Sequence, residues 1–121
     1  MPRIRILLVA ALAVLTLAVA GAVQASAQTT SLVGKVGPGF TITLTKSGKA
    51  VKTLAPGTYK MTINDESTGH NFDLFGPGVS KKTSVQGTGT VVWTVTLTKG
   101  SYTYQCDIHF ASGMIGHFTV A

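Results

Sequence analysis

The feature that most limits the fold of this chain is an alternation of period two that begins near Leu32 and persists to the C-terminus. Phe40, Ile42 and Leu44 alternate with Thr41, Thr43 and Thr45, and Val91, Trp93, Val95 and Leu97 alternate with Thr94, Thr96 and Thr98. Residues i and i+2 share one face of a strand, so each run reads as a strand with one buried side. Tyr59, Met61 and Ile63 repeat the pattern, as do His70, Phe72 and Leu74, then Tyr102, Tyr104 and Cys106, then Phe118 and Val120. Gly37-Pro38-Gly39, Lys46-Ser47-Gly48, Pro56-Gly57, Gly76-Pro77-Gly78, Gly87-Thr88-Gly89 and Lys99-Gly100 punctuate the runs as turns. Apolar stripes of helical period are missing after residue 27. The class is therefore all-β, with six to eight short strands in two packed sheets or an open barrel. An immunoglobulin-type binding module has the same periodicity but usually carries a cysteine pair, which this chain lacks.

The N-terminus has a different character. Met1-Pro2-Arg3-Ile4-Arg5 precedes an apolar run from Ile6 through Ala20, and Ala25-Ser26-Ala27 follows. A basic start, a greasy middle and a small-x-small exit make residues 1–27 a secretory signal peptide, cut after Ala27, with one domain over residues 28–121. Left uncut, residues 6–23 are just long enough to anchor the protein in a membrane. With Arg3 and Arg5 removed, the domain carries eight lysines against four acidic residues. The lysines are scattered among Thr and Gly, and no arginine remains to grip phosphates, which argues against a nucleic-acid partner.

Export makes the single cysteine informative. In an oxidising compartment cysteines normally pair, yet Cys106 has no intramolecular mate. It is buried and inert, paired between chains, or held by something other than sulfur. Its surroundings favour the third option: Cys106, His109 and Met114 follow the spacing C-x2-H-x4-M, placing thiolate, imidazole and thioether within nine residues. If Cys106 ends a strand pointing inward, a turn through Ser112-Gly113 swings His109 and Met114 back to the same point. His70 supplies a fourth donor, because its parity matches core-facing Phe72 and Leu74. Two imidazoles and a thiolate with an axial Met are the donor set of a blue-copper centre. Structural zinc sites use closed sets of thiolate and imidazole and rarely recruit Met.

Over about Thr58 to Ala121 the chain resembles the cupredoxins, nearest to the plastocyanin and pseudoazurin branch. The resemblance rests on Gly69-His70-Asn71-Phe72, Trp93-Thr94-Val95-Thr96-Leu97, Gly100-Ser101-Tyr102-Thr103-Tyr104, the Cys106 to Met114 loop and Gly116-His117-Phe118-Thr119-Val120. It implies a Greek-key β-sandwich holding one copper ion that cycles between Cu(I) and Cu(II), with His70, Cys106, His109 and Met114 as ligands. It also implies that Asn71 ties the two ligand segments together by hydrogen bonds. Plastocyanins usually place Tyr before the ligand Cys, where this chain has Gln105, and Pro two residues after it, where this chain has Ile108. Proline has no N–H, so Ile108 is expected to donate a backbone hydrogen bond to the thiolate and raise the reduction potential.

These readings predict an exported, monomeric electron carrier, periplasmic or extracellular, and not an enzyme, since protein donors fill all four coordination positions. Redox partner proteins are expected to dock near His109 and Phe110, beside the apolar loop Phe75-Gly76-Pro77-Gly78-Val79. Membrane contact is expected only through an uncut leader. A copper storage or delivery protein would use the same ligands, and a metal-free β-sandwich interaction module would use none. His117 is the internal control. It lies out of phase with Phe118 and Val120 and should face solvent, while Tyr59, Tyr102, Tyr104 and Trp93 share parity with the core. Asp65-Glu66 reads as a solvated turn.

Overall fold

A computed structural model describes residues 17–24 and 28–121. The predicted leader cut falls outside the described residues; residues 17–24 are exposed chain without regular structure. Among the described residues, no helix is long and apolar enough to cross a membrane.

Ten strands follow in order: β1 (Thr30–Val36), β2 (Ile42–Lys46), β3 (Lys49–Ala50), β4 (Thr53–Leu54), β5 (Gly57–Asp65), β6 (Asp73–Gly76), β7 (Val79–Lys82), β8 (Gly89–Leu97), β9 (Gly100–Gln105) and β10 (Ile115–Val120). They form two five-stranded sheets, ordered β3-β2-β1-β5-β8 and β4-β10-β9-β6-β7. β1 runs parallel to β5 and β4 parallel to β10, and the other neighbours are antiparallel. The count exceeds the predicted six to eight because β3 and β4 have two residues each. Two residues are too few to display a period.

The core forms where the two inner faces meet. Leu32, Val36, Leu44, Met61, Ile63, Val95 and Leu97 come from one sheet, and Leu74, Tyr102, Tyr104, Phe118 and Val120 from the other, all buried. The tyrosines sit there because their polar ends are satisfied. The Tyr102 hydroxyl donates to the Pro77 carbonyl at 2.8 Å and accepts the Thr98 N–H at 3.0 Å, and the Tyr59 hydroxyl donates to the Ala55 carbonyl at 2.6 Å. Phe72 stacks on Tyr104 with ring centroids 5.6 Å apart. Gly34 makes room for it, since a Cβ there would fall 2.9 Å from the Phe72 ring.

Two alternation readings fail at strand ends. Phe40 does not share the buried face of β2: the strand starts only at Ile42, and Phe40 is 61% exposed. The turn Gly37-Pro38-Gly39, with Gly37 and Gly39 both at positive φ, breaks the phase before the strand begins. Val91 is exposed and Trp93 only partly buried, so β8 is core-facing only in its second half. Pairing across the sheets brings one set of strand ends together: Val36 lies opposite both Ile42 and Asp65, and Gln105 opposite both Asp73 and Ile115. The loops at that end carry the chemistry.

Candidate metal centre

Cys106 is the first residue past β9, and Met114 the last before β10. Between them the chain closes on itself: the Cys106 N–H donates to the Met114 carbonyl at 3.0 Å, His109 N–H to Cys106 carbonyl at 3.2 Å, and Met114 N–H to His109 carbonyl at 3.3 Å. A single 3-10 turn, Phe110–Ser112, carries the chain round, and Gly113 at φ 95° ends it in the left-handed region that glycine enters without steric cost. The return path predicted through Ser112-Gly113 is the one observed. His70 arrives from the loop between β5 and β6, anchored where the Gly69 N–H donates to the Val85 carbonyl at 2.9 Å.

His70 and Cys106 are buried, and His109 is partly exposed. His70 Nδ1 lies 2.9 Å from His109 Nδ1, and Cys106 Sγ lies 3.8 Å and 3.7 Å from those two nitrogens. The circle through three points with these separations has a radius of about 2.0 Å, the length of a metal–imidazole bond and a little under the ~2.3 Å of a metal–thiolate bond, so an ion slightly nearer the nitrogens meets all three. One late first-row ion fits between these three donors. Met114 is fully buried beside them, with its backbone bonded to both Cys106 and His109.

Asn71 does what the resemblance implied. Its Oδ1 accepts the Asp107 N–H at 2.8 Å, and its Nδ2 donates to Asp107 Oδ2 at 2.9 Å, tying the residue after His70 to the residue after Cys106. Thr83, which the sequence reading missed, secures the other side. Its hydroxyl accepts the Phe72 N–H at 2.8 Å, and its N–H donates to the Phe72 carbonyl at 3.0 Å. No pattern pointed to Thr83, because its Phe72 partner is 11 residues away and backbone in kind.

Cys106 Sγ faces the two imidazole nitrogens, and the Ile108 side chain is exposed. The turn at Cys106 is closed by the His109 N–H on the Cys106 carbonyl. His117 is exposed, with Nδ1 3.0 Å from the Thr103 hydroxyl, and takes no part in the centre.

All four of the chain's acids lie near this end. Asp65 is not in a solvated turn: it is 6% exposed, on the inward phase of Met61 and Ile63, and only Glu66 reaches solvent, pairing with Lys35 at 3.3 Å. Burial pushes the Asp65 carboxyl up, opposed chiefly by the hydrogen bond that it accepts from the Ser67 N–H. Asp73 is pushed up to about 6, by burial and then by neighbouring Asp107, with Lys82 opposing. For Asp107, burial is overruled by hydrogen bonds from Asn71, Asp73 and Gln105 and by the charge of Lys82, 3.7 Å away, so its carboxyl sits below the usual range.

A buried thiol and two imidazoles meeting at one end of a Greek-key sandwich define a copper-binding β-sandwich protein. Residues 46–121 match the model of the copper binding proteins of the plastocyanin/azurin family, and the chain belongs to that family, the cupredoxins. It is a blue copper electron-transfer protein. Among solved structures it is similar to rusticyanin from Thiobacillus ferrooxidans, at 30% identity and a TM-score of 0.56 over 79% of each chain. It is also similar to reduced rusticyanin, at 27% identity and 0.58 over 80% of this chain and 82% of that one. A rusticyanin mutant with one Met replaced by Gln gives 25% and 0.60 over 79% and 80%. No curated protein sequence matches the chain significantly.

Proposed function

We propose that His70 Nδ1, Cys106 Sγ, His109 Nδ1 and Met114 Sδ hold one copper ion, and that the protein works outside the cytoplasm as a carrier of single electrons, without substrate chemistry of its own. The observation that carries this is the donor triangle, with sides of 2.9, 3.7 and 3.8 Å. Bound there, copper supplies a one-electron couple between Cu(I) and Cu(II). The chain's own part is to keep the donors still. Strand ends fix Cys106 and Met114, Asn71 ties the His70 segment to the Cys106 loop, and Thr83 holds Phe72 from behind. A frame of this kind does not relax toward square-planar on oxidation, which keeps the reorganisation accompanying each electron small.

His109, the most accessible of the three donors in the triangle, is the proposed exit. Phe110 at 47% and Ile108 at 56% exposure stand beside it as an apolar rim where a redox partner protein docks briefly. Four protein donors leave no coordination position for a substrate, in keeping with a carrier rather than an enzyme.

Titrating the purified domain with Cu(II) is expected to give an intense thiolate-to-copper charge-transfer band at one equivalent, abolished in Cys106→Ser. The copper-loaded protein should exchange electrons rapidly with small redox dyes while keeping its metal against a competing chelator. Quick surrender of copper with slow electron exchange would mark a delivery protein, and a colourless wild type would end the copper assignment.

A further inference from the structure

Phe40 stands where nothing about the fold requires an aromatic ring. It precedes β2, lies outside the segment matched by the family model, and is 61% exposed. What it touches is specific. Its ring centroid lies 4.7 Å from that of His109, at an interplanar angle of 84°, and 5.6 Å from that of His70, at 70°. One side chain therefore packs edge-to-face against both imidazoles of the centre.

The loop that presents it is built to do so. The Gly37 N–H donates to the Thr41 carbonyl at 2.8 Å and the Thr41 hydroxyl to the Pro38 carbonyl at 3.0 Å, closing the neck behind Phe40. Gly37 and Gly39 sit at φ 69° and 70°, conformations that side chains with a Cβ rarely adopt. The Glu66 N–H donates to the Val36 carbonyl at 2.9 Å, joining the base of this loop to the chain that leads to His70. An exposed phenyl group is costly in water, and the contacts that offset that cost are with the two histidines.

We propose that Phe40 is a positioning residue of the metal centre, an aromatic cover that packs across His70 and His109, holds their ring planes and keeps water and small anions away from the donors. This rests on the copper reading above. An apolar cover favours the less charged, reduced centre and slows access by competing ligands, because both depend on solvent reaching the donors.

The test uses the full domain with Phe40→Ala, Phe40→Leu and Phe40→Trp, read first without copper and then with it. Without copper, diethylpyrocarbonate is expected to modify His109 and His70 several-fold faster in Phe40→Ala than in wild type, while exposed His117 reacts at an unchanged rate. With copper, Phe40→Ala should show a lower reduction potential, roughly tenfold faster loss of copper to a chelator, and a visible-band shift on adding azide that wild type lacks. Phe40→Leu should fall between, and Phe40→Trp should restore the wild-type values. Because the ring is mostly exposed, the urea midpoint should move little across the series. Unchanged histidine modification in Phe40→Ala, or unchanged copper loss and azide response, overturns the cover. A colourless wild type with the modification pattern intact would instead sink the copper reading while supporting the cover over the two histidines.

Discussion

Replacing Asn71 with Ala removes a side chain that bonds the His70 segment to the Cys106 loop, and its cost follows from three contacts. Asn71 is 1% exposed, so water does not replace what is lost. The bond from Asp107 N–H to Oδ1, at 2.8 Å, joins neutral groups, contributes about 1 kcal/mol, and leaves a poorly solvated amide behind. The bond from Nδ2 to Asp107 Oδ2, at 2.9 Å, meets a carboxylate and ranks at about 1.5 to 3 kcal/mol. The lower figure applies, because that side chain is 31% exposed and keeps Gln105 and Lys82 as partners. The contact to the Thr83 carbonyl, at 3.4 Å, adds little. The total is about 2.5 kcal/mol, or a fall in Tm of about 10 to 20 °C for a domain of this size. Equilibrium urea unfolding of metal-free protein measures it, and a double-mutant cycle with Asp107→Ala isolates the carboxylate bond at about 1.5 kcal/mol. A loss below about 1 kcal/mol for Asn71→Ala would refute the reasoning, because neither short bond could then be worth its ordinary value.

Other consequences can be measured in the same way. The folded Asp73 carboxyl, at about 6 against an ordinary 3.8, binds its proton more tightly than the unfolded chain does, so the stability it contributes is complete below 3.8 and is lost as pH rises through about 6. Asp107 has the opposite sign: its contribution is present above 3.8 and disappears in acid, while Lys82 faces both carboxyls. Urea midpoints taken between about pH 4 and pH 6.5 should therefore fall less steeply in Asp73→Asn than in wild type, and parallel slopes would count against the shifted carboxyl. Gly116→Val places a Cβ inside the space of the Tyr104 ring, which Phe72 holds in a stack, and should destabilise by about 1 to 3 kcal/mol in urea. His117→Ala removes one exposed contact to Thr103 and should leave the visible spectrum and copper retention as they were.

What could be read from the sequence follows from how local each feature is. The Cys106 to Met114 loop closes by hydrogen bonds within nine residues, so its spacing alone carried the geometry. Parity carried His70 to the core side because Phe72 and Leu74 continue the same alternation. The same rule, applied to Met61 and Ile63, places Asp65 inside; the neighbouring Glu66 made the pair look like a solvated turn. Phe40 failed for a different reason. Its phase is set by a neck of hydrogen bonds around Gly37 and Thr41, so continuing the β2 alternation backward across that neck assigned it to the wrong face.

The features that stayed hidden share one physical origin. Thr83, Asp73 and Phe40 act on the centre from segments that meet only when the sheets close: β7 delivers Thr83 behind Phe72, β6 sets Asp73 opposite Gln105, and the β1–β2 loop lays Phe40 across the imidazoles. Each depends on pairing between residues distant in sequence, as does the parallel match of β1 with β5, and no short motif records such pairing. The metal donors had to be specific residue types and were therefore visible. The residues holding them still had only to present a hydroxyl, a carboxyl or a ring edge at the right strand end, a requirement many sequences meet and only the folded register expresses.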